Sequence, residues 1–191
     1  MLKICLATRN SHKIREIIEV SPKNIEFISL DDIRCREELP ETGNTIPANS
    51  LQKAMWVWEN YGVNCLADDS GLEIVGLNGA PGVHSAYYAG TRDFDENIAL
   101  VLQNMLGRSN RKAAFKTVMT LVIGGEAHQF EGRVEGEILH EKRGKNGFGY
   151  DPIFLALGEV LTFAEMSISE KNKISHRSNA LQKVITYLES V

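Results

Sequence analysis

An α/β fold is the class this sequence predicts, and its first twenty residues carry most of the argument. Residues 2–7 form a short apolar run suited to a buried strand. Thr8, Arg9 and Asn10 then turn polar, and Ile14, Ile17 and Ile18 follow at helical spacing. Strand, polar turn and helix in succession are the usual opening of a sheet covered by helices.

The remaining elements follow the same logic. Residues 25–30 read as a second strand, and the acidic, turn-rich stretch 31–44 as a loop. Thr45 can cap a helix with Pro47 in its first turn, where a missing N–H costs little. Leu51, Ala54, Met55 and Trp58 make the apolar stripe expected for that helix; Asn49, Lys53 and Trp56 fall on another face, and Gly62 ends it. Residues 63–67 are a strand expected to finish in a tight turn at Asp68-Asp69-Ser70-Gly71. Glycine-rich 76–90 suggests an irregular boundary between lobes, and 93–106 a helix closed by Gly107. Residues 113–123 and 127–139 flank Gly124-Gly125, a hairpin turn signal. A second glycine-rich loop covers 144–151 and a polar stretch 169–178, before Leu181, Val184, Ile185 and Leu188 mark a closing amphipathic helix. No repeat, low-complexity tract or linker interrupts the 191 residues, so one domain over 1–191 is expected.

Composition excludes several classes of function. A net charge of −4 with scattered Lys and Arg speaks against nucleic acid as a partner. No run approaches the roughly 20 apolar residues of a membrane helix, and the start lacks a signal-peptide cleavage pattern. Cys5, Cys35 and Cys65 are odd in number and form no CxxC pair, which argues against a disulfide framework and a zinc site. A soluble, cytoplasmic protein is expected.

Four segments can carry chemistry. At the first strand–helix junction, Thr8, Asn10 and Ser11 offer donors and Lys13 a cation, beside helix-start N–H groups that favour phosphate; Arg9 and His12 complete the segment. A helix cap beside a surface lysine would look the same, and GxxxxGK[ST] is absent. Second, Asp68 and Asp69, followed by Ser70 and Gly71, suit magnesium, which takes one or two carboxylates and completes its shell with water and phosphate. One of them could also take a proton from water; the plainer alternative is an Asp-capped turn. Glu41 adds a loop carboxylate ahead of the helix that bears Lys53. Third, Gly147-Phe148-Gly149-Tyr150-Asp151-Pro152 lets backbone approach a ligand and offers aromatics to a base, unless they are simply core. Fourth, Lys171, His176 and Arg177 suit phosphates or base oxygens; a solvated helix start capped by Ser175 is the alternative. A nucleoside triphosphate with magnesium needs all four contributions. No Ser-His-Asp order stands out, so activated water is the simpler mechanism.

In this order the segments resemble the inosine triphosphate pyrophosphatase family. The matching stretches are ATRNSHKIREI, ETGNTIPANSLQKA, ADDSGLEI, PGVHSAYYAG, FEGRVEG, GFGYDPIF, TFAEMS and EKNKISHRSNAL. The resemblance implies an elongated mixed sheet flanked by helices, two lobes with the site in the cleft between them, and a homodimer. It implies a nucleotide pyrophosphatase domain that hydrolyses ITP, dITP and XTP to the monophosphate and pyrophosphate. Carried over to this chain, Thr8, Arg9, Asn10, Ser11, His12 and Lys13 hold the triphosphate. Glu41 and Asp69 serve Mg2+, with Asp68 either a further metal ligand or a residue standing behind the ligands. Asp69 is also the general base, and Lys53 faces the phosphates. Ser70, Phe148, Gly149, Tyr150, Asp151, Lys171, His176 and Arg177 match nucleotide-binding positions. Arg177, a pure donor, suits the six-position oxygen that inosine has and adenosine lacks. Lys13 and Lys171 are expected to extend into an open cleft, where losing them costs little stability. Tyr87 and Ala114 stand where many relatives carry arginine. A Maf-type pyrophosphatase acting on other nucleotides is the rival enzyme, opposed by EKNKISHR; a regulatory nucleotide binder is the rival of another class, opposed by Glu41, Lys53 and Asp69. A substrate panel separates them.

Overall fold

The computed structural model describes residues 2–190. Six strands form one sheet in the order β2-β1-β3-β4-β5-β6: β1 (Leu2–Leu6), β2 (Ile25–Ile28), β3 (Cys65–Ile74), β4 (Lys112–Ile123), β5 (Glu126–Ile138) and β6 (Phe154–Ala156). β1 is parallel to β2 and β3 whereas β6 is antiparallel to β5, so the sheet is mixed, as expected. Among the described residues five α-helices accompany it: α1 (Ser11–Glu19), α2 (Ile46–Tyr61), α3 (Phe94–Asn104), α4 (Ile168–Asn172) and α5 (His176–Ser190). Among the described residues no helix is long and apolar enough to cross a membrane.

Several local readings hold for the reasons given. The Thr45 side chain accepts from the Ala48 N–H, Pro47 sits in the first turn of α2, and Gly62 closes it in the left-handed region. Gly124 and Gly125 both have positive φ, as a two-residue hairpin loop between β4 and β5 requires.

Three readings need correction. The buried residues of α2 are Ile46, Asn49, Ser50, Lys53, Ala54 and Val57, while Leu51 is 38% exposed. Polar side chains can face inward here because each is satisfied: the Ser50 hydroxyl donates to the Ala67 carbonyl (3.2 Å) and pairs with the Thr120 hydroxyl (2.8 Å). β3 does not turn after Ala67 but continues through Asp68-Asp69-Ser70-Gly71 to Ile74. The stretch 76–90 is not a boundary. The chain divides into two compact units that exchange at 69/70, 116/117, 132/133 and 176/177.

The first unit comprises the chain up to Asp69, Thr117–Gly132 and the chain from Arg177 onward. Strand alternation gives its portion of the sheet two apolar faces. Ile4, Leu6, Leu66, Met119 and Leu121 meet Ile17 of α1 and Leu181, Val184 and Ile185 of α5. Cys5, Ala7, Cys65, Ala67 and Val122 meet Ala54 and Val57 of α2. All three cysteines are buried and free. Burial, reinforced by neighbouring thiols, pushes Cys5 and Cys65 up to about 12, so they pack as small hydrophobes.

The second unit, Ser70–Lys116 and Arg133–His176, has its own core. Phe115, Phe154 and Phe163 lie mutually 4.6–5.9 Å apart, surrounded by Leu72, Ile98, Val101, Met105 and Ile153. Ala114 is buried in this part of β4, and Tyr87 is 41% exposed with its hydroxyl 3.2 Å from His84 Nδ1.

Candidate active site

The predicted residues form two groups, one in each unit. In the first, the continuation of β3 sets the geometry, because alternation sends the side chains of Asp68 and Asp69 to opposite faces. Asp68 follows Leu66 to the α1/α5 face, where its Oδ2 accepts from Lys13 Nζ (3.0 Å) and Arg177 Nε (3.4 Å). Asp69 follows Ala67 to the α2 face, where its Oδ1 lies 4.0 Å from Lys53 Nζ. Lys53, buried on α2, also donates to Glu41 Oε1 (2.5 Å) and to the Asp68 carbonyl (2.7 Å). One lysine thus ties the Glu41 loop to both aspartates.

Burial and charge set the protonation of this group. Burial opposes the charge of Asp68, but Lys13, Arg177 and Lys53 overcome it and hold the carboxyl well below the usual range. For Asp69 burial wins: its pKa is raised despite Lys53 and Lys13, with Glu41 and Asp68 adding to the rise. Burial lowers Lys13, against the pull of Asp68.

Around α1 the segment divides. Asn10 caps the helix, its Oδ1 accepting from the His12 and Lys13 N–H groups at 3.0 and 3.3 Å, and the Asn10 N–H donates to the Thr8 hydroxyl at 3.2 Å. Arg9 is held elsewhere, by Asp31 (3.1 Å) and the Cys35 carbonyl (2.6 Å). Ser11 and His12 are exposed. Lys13 therefore supplies the cation of this turn.

In the second unit Asp151 is the organiser. Its Oδ2 accepts from the Phe148 N–H (2.9 Å) and from Lys171 Nζ (2.6 Å). The ammonium lies 5.1 Å from the centre of the Phe148 ring and 5.3 Å from that of Phe163. Lys171 is carried by α4, whose start is fixed by a reciprocal capping box between Ser167 and Glu170. Phe148 is half-buried and tilted against Phe94 at 6.2 Å. Gly147 has positive φ, and a Cβ there would collide with the Asp151 carboxylate, so only glycine fits. Gly149 also has positive φ. Tyr150 is core: its hydroxyl donates to the Ser85 carbonyl at 2.9 Å, and burial raises its pKa. His176 is buried and stacks on Phe115 at 4.8 Å, and Ser70 is half-buried on β3.

Two expectations change. Lys13 and Lys171 do not extend into open space, since their side chains are 14% and 4% exposed and each ends on a buried carboxylate. Arg177 is 2% exposed and commits its guanidinium to Glu16 and Asp68. Glu16, itself 5% exposed, is a member of the group that sequence reasoning missed. Its signal was the Lys13-x-x-Glu16 spacing, which puts both on one helix face.

Among the described residues no cluster of three or more His, Cys, Asp or Glu could hold a metal ion unaided. The donor set still fits magnesium, which needs few protein ligands. Around Lys13, Lys53 and Arg177 stand four carboxylates, Glu16, Glu41, Asp68 and Asp69, leaving an excess of one negative charge when all are ionised.

Among solved structures, a HAM1 protein from Coxiella burnetii superposes with a TM-score of 0.91 at 41% identity, covering 100% of both chains. The dITP/XTP pyrophosphatase of Christiangramia forsetii is 50% identical over 98% of this chain and 99% of its own length. That of Bacillus subtilis is 43% identical over 100% and 98%. The Ham1 family model matches residues 4–187, and the chain belongs to that family. The resemblance read from the motifs is borne out.

Proposed function

We propose that this chain is a nucleoside triphosphate pyrophosphatase that clears the non-standard purine nucleotides ITP, dITP and XTP as monophosphate and pyrophosphate. The observation that carries the reading is the buried group of Lys13, Lys53, Asp68, Asp69 and Glu41, paired in sequence with a ring-and-carboxylate group suited to a base. The relatives are named for two of these substrates, dITP and XTP.

In this reading Lys13 and Lys53 neutralise the phosphates, with Thr8, Asn10, Ser11 and His12 lining the same turn. Arg9 supports that turn from outside through Asp31. Glu41 and Asp69, on the α2 face, would hold Mg2+, which supplies charge neutralisation when bound, and Asp68 would add its charge from the other face of β3. Asp69, made more basic by burial, takes the proton of the attacking water. Phe148 stacks on the base, while Asp151 and Lys171 offer an acceptor and a donor beside it; Gly149, Tyr150, His176 and Ser70 shape that surface. Arg177 serves the phosphate end through Asp68. The two units act as one catalytic domain, since neither is a continuous piece of chain. A cytoplasmic homodimer completes the proposal.

Incubating the protein with Mg2+ and ITP, dITP, XTP, ATP and GTP, and separating pyrophosphate from orthophosphate, tests the reading. Pyrophosphate from the first three, at rates well above the last two, is expected; orthophosphate as the product overturns it.

Two variants probe the base-binding group. Phe148→Ala should weaken ITP and ATP alike by about 1–3 kcal/mol, the worth of one base stack, and kcat/KM on both substrates checks it. Gly147→Ala should displace Asp151, releasing the Phe148 amide and Lys171 together. Its KM for ITP is expected to rise more than that of Phe148→Ala, with kcat the lesser change.

A further inference from the structure

We propose that Glu16 is a positioning residue that sets the metal affinity of the acidic group by sharing the charge of Arg177 with Asp68. This rests on the reading above, in which that group meets a divalent cation. Lys13 and Arg177 approach the same oxygen of Asp68, at 3.0 and 3.4 Å. Two full cations on one carboxylate would cancel the field it offers to a metal. Glu16 prevents this, because Arg177 also donates from Nη1 to Glu16, and both are buried.

α1 makes the arrangement possible. Residues three apart share a helix face, so Lys13 and Glu16 flank Arg177 and Asp68 from one element, one contributing a cation and the other an anion. Ile17, the next residue, packs into the core with Leu181 and Val184 of α5, the helix that begins with His176 and Arg177. The apolar contact fixes how far Glu16 stands from Arg177, so the sharing of charge is built into the packing of the two helices. Glu16 itself touches neither water nor phosphate in this scheme.

Glu16→Gln keeps the size of the side chain and removes the charge. Arg177 then turns its whole charge on Asp68, and the acidic group loses its net negative excess. Binding of Mn2+ to the nucleotide-free protein, followed by the EPR signal of the free ion, should weaken on the order of tenfold, the scale of one unit charge lost at protein dielectric. Glu16→Asp, which keeps the charge but stands back from Arg177, should fall between wild type and Glu16→Gln. Should Glu16→Gln not fold, Glu16→Asp decides alone: Mn2+ binding weaker than wild type is expected, and wild-type binding overturns the proposal. Glu19→Gln, an equal change of charge at an exposed position of the same helix, should bind Mn2+ like wild type. Wild-type Mn2+ affinity in both Glu16 variants overturns the proposal while sparing the proposed function. Equal weakening in Glu16→Gln and Glu19→Gln overturns it too, as an effect of net charge alone. No Mn2+ binding by the wild type removes the metal reading and this proposal with it.

Discussion

Asp69→Asn is expected to lower kcat on ITP by about 10²–10⁴-fold, the usual worth of a positioned general base. The amide cannot take the proton of water, and it is a poorer partner for a metal. The fold should survive, because Lys53 keeps Glu41 and the Asp68 carbonyl as partners. Burial already resists the charge of Asp69, so a neutral side chain of the same shape removes no net stabilisation from the strand. Steady-state kinetics beside a thermal melt make the test. A folded variant with near-normal turnover takes the base role away from Asp69.

Arg177→Ala should damage stability as well as activity. It strips the guanidinium from two buried carboxylates, Glu16 and Asp68, and breaking a buried ion pair from one side costs about 3–5 kcal/mol. For a chain of this length that corresponds to a melting temperature lower by roughly 6–20 °C. Activity should fall for ITP and ATP together, with their ratio kept, because the side chain lies with the acidic group. A ratio that narrows instead would return Arg177 to reading the six-position oxygen of the base.

The sequence made the elements legible where local chemistry decides them. Thr45, Pro47 and Gly62 mark the ends of α2 by capping, and Gly124-Gly125 marks the hairpin by its backbone requirement. It misled where polarity stood in for exposure. Lys53 was set apart from the apolar stripe of α2 because its partners, Glu41, Asp69 and the Asp68 carbonyl, come from other parts of the chain. The same blindness hid Glu16, which looks like a solvated helix acid until α5 brings Arg177 to it. Asp68 and Asp69 were recognised as a pair, but their division between two faces follows only from β3 continuing past them. Tyr150 was recognised as an aromatic in a glycine-rich loop, and only tertiary contact shows its hydroxyl tied to Ser85.

The order in which the chain contributes to its first unit has a consequence for synthesis on the ribosome. Lys13, Glu16, Asp68 and Asp69 emerge well before Arg177 and the apolar face of α5. Until then Glu16 and Asp68 have no guanidinium between them, and Ile17 and Leu66 lack Leu181 and Val184 as cover. A nascent chain halted before Arg177 holds most of the acidic residues but cannot assemble them. Stalled or prematurely terminated products that lack Arg177 should therefore remain open and protease-sensitive.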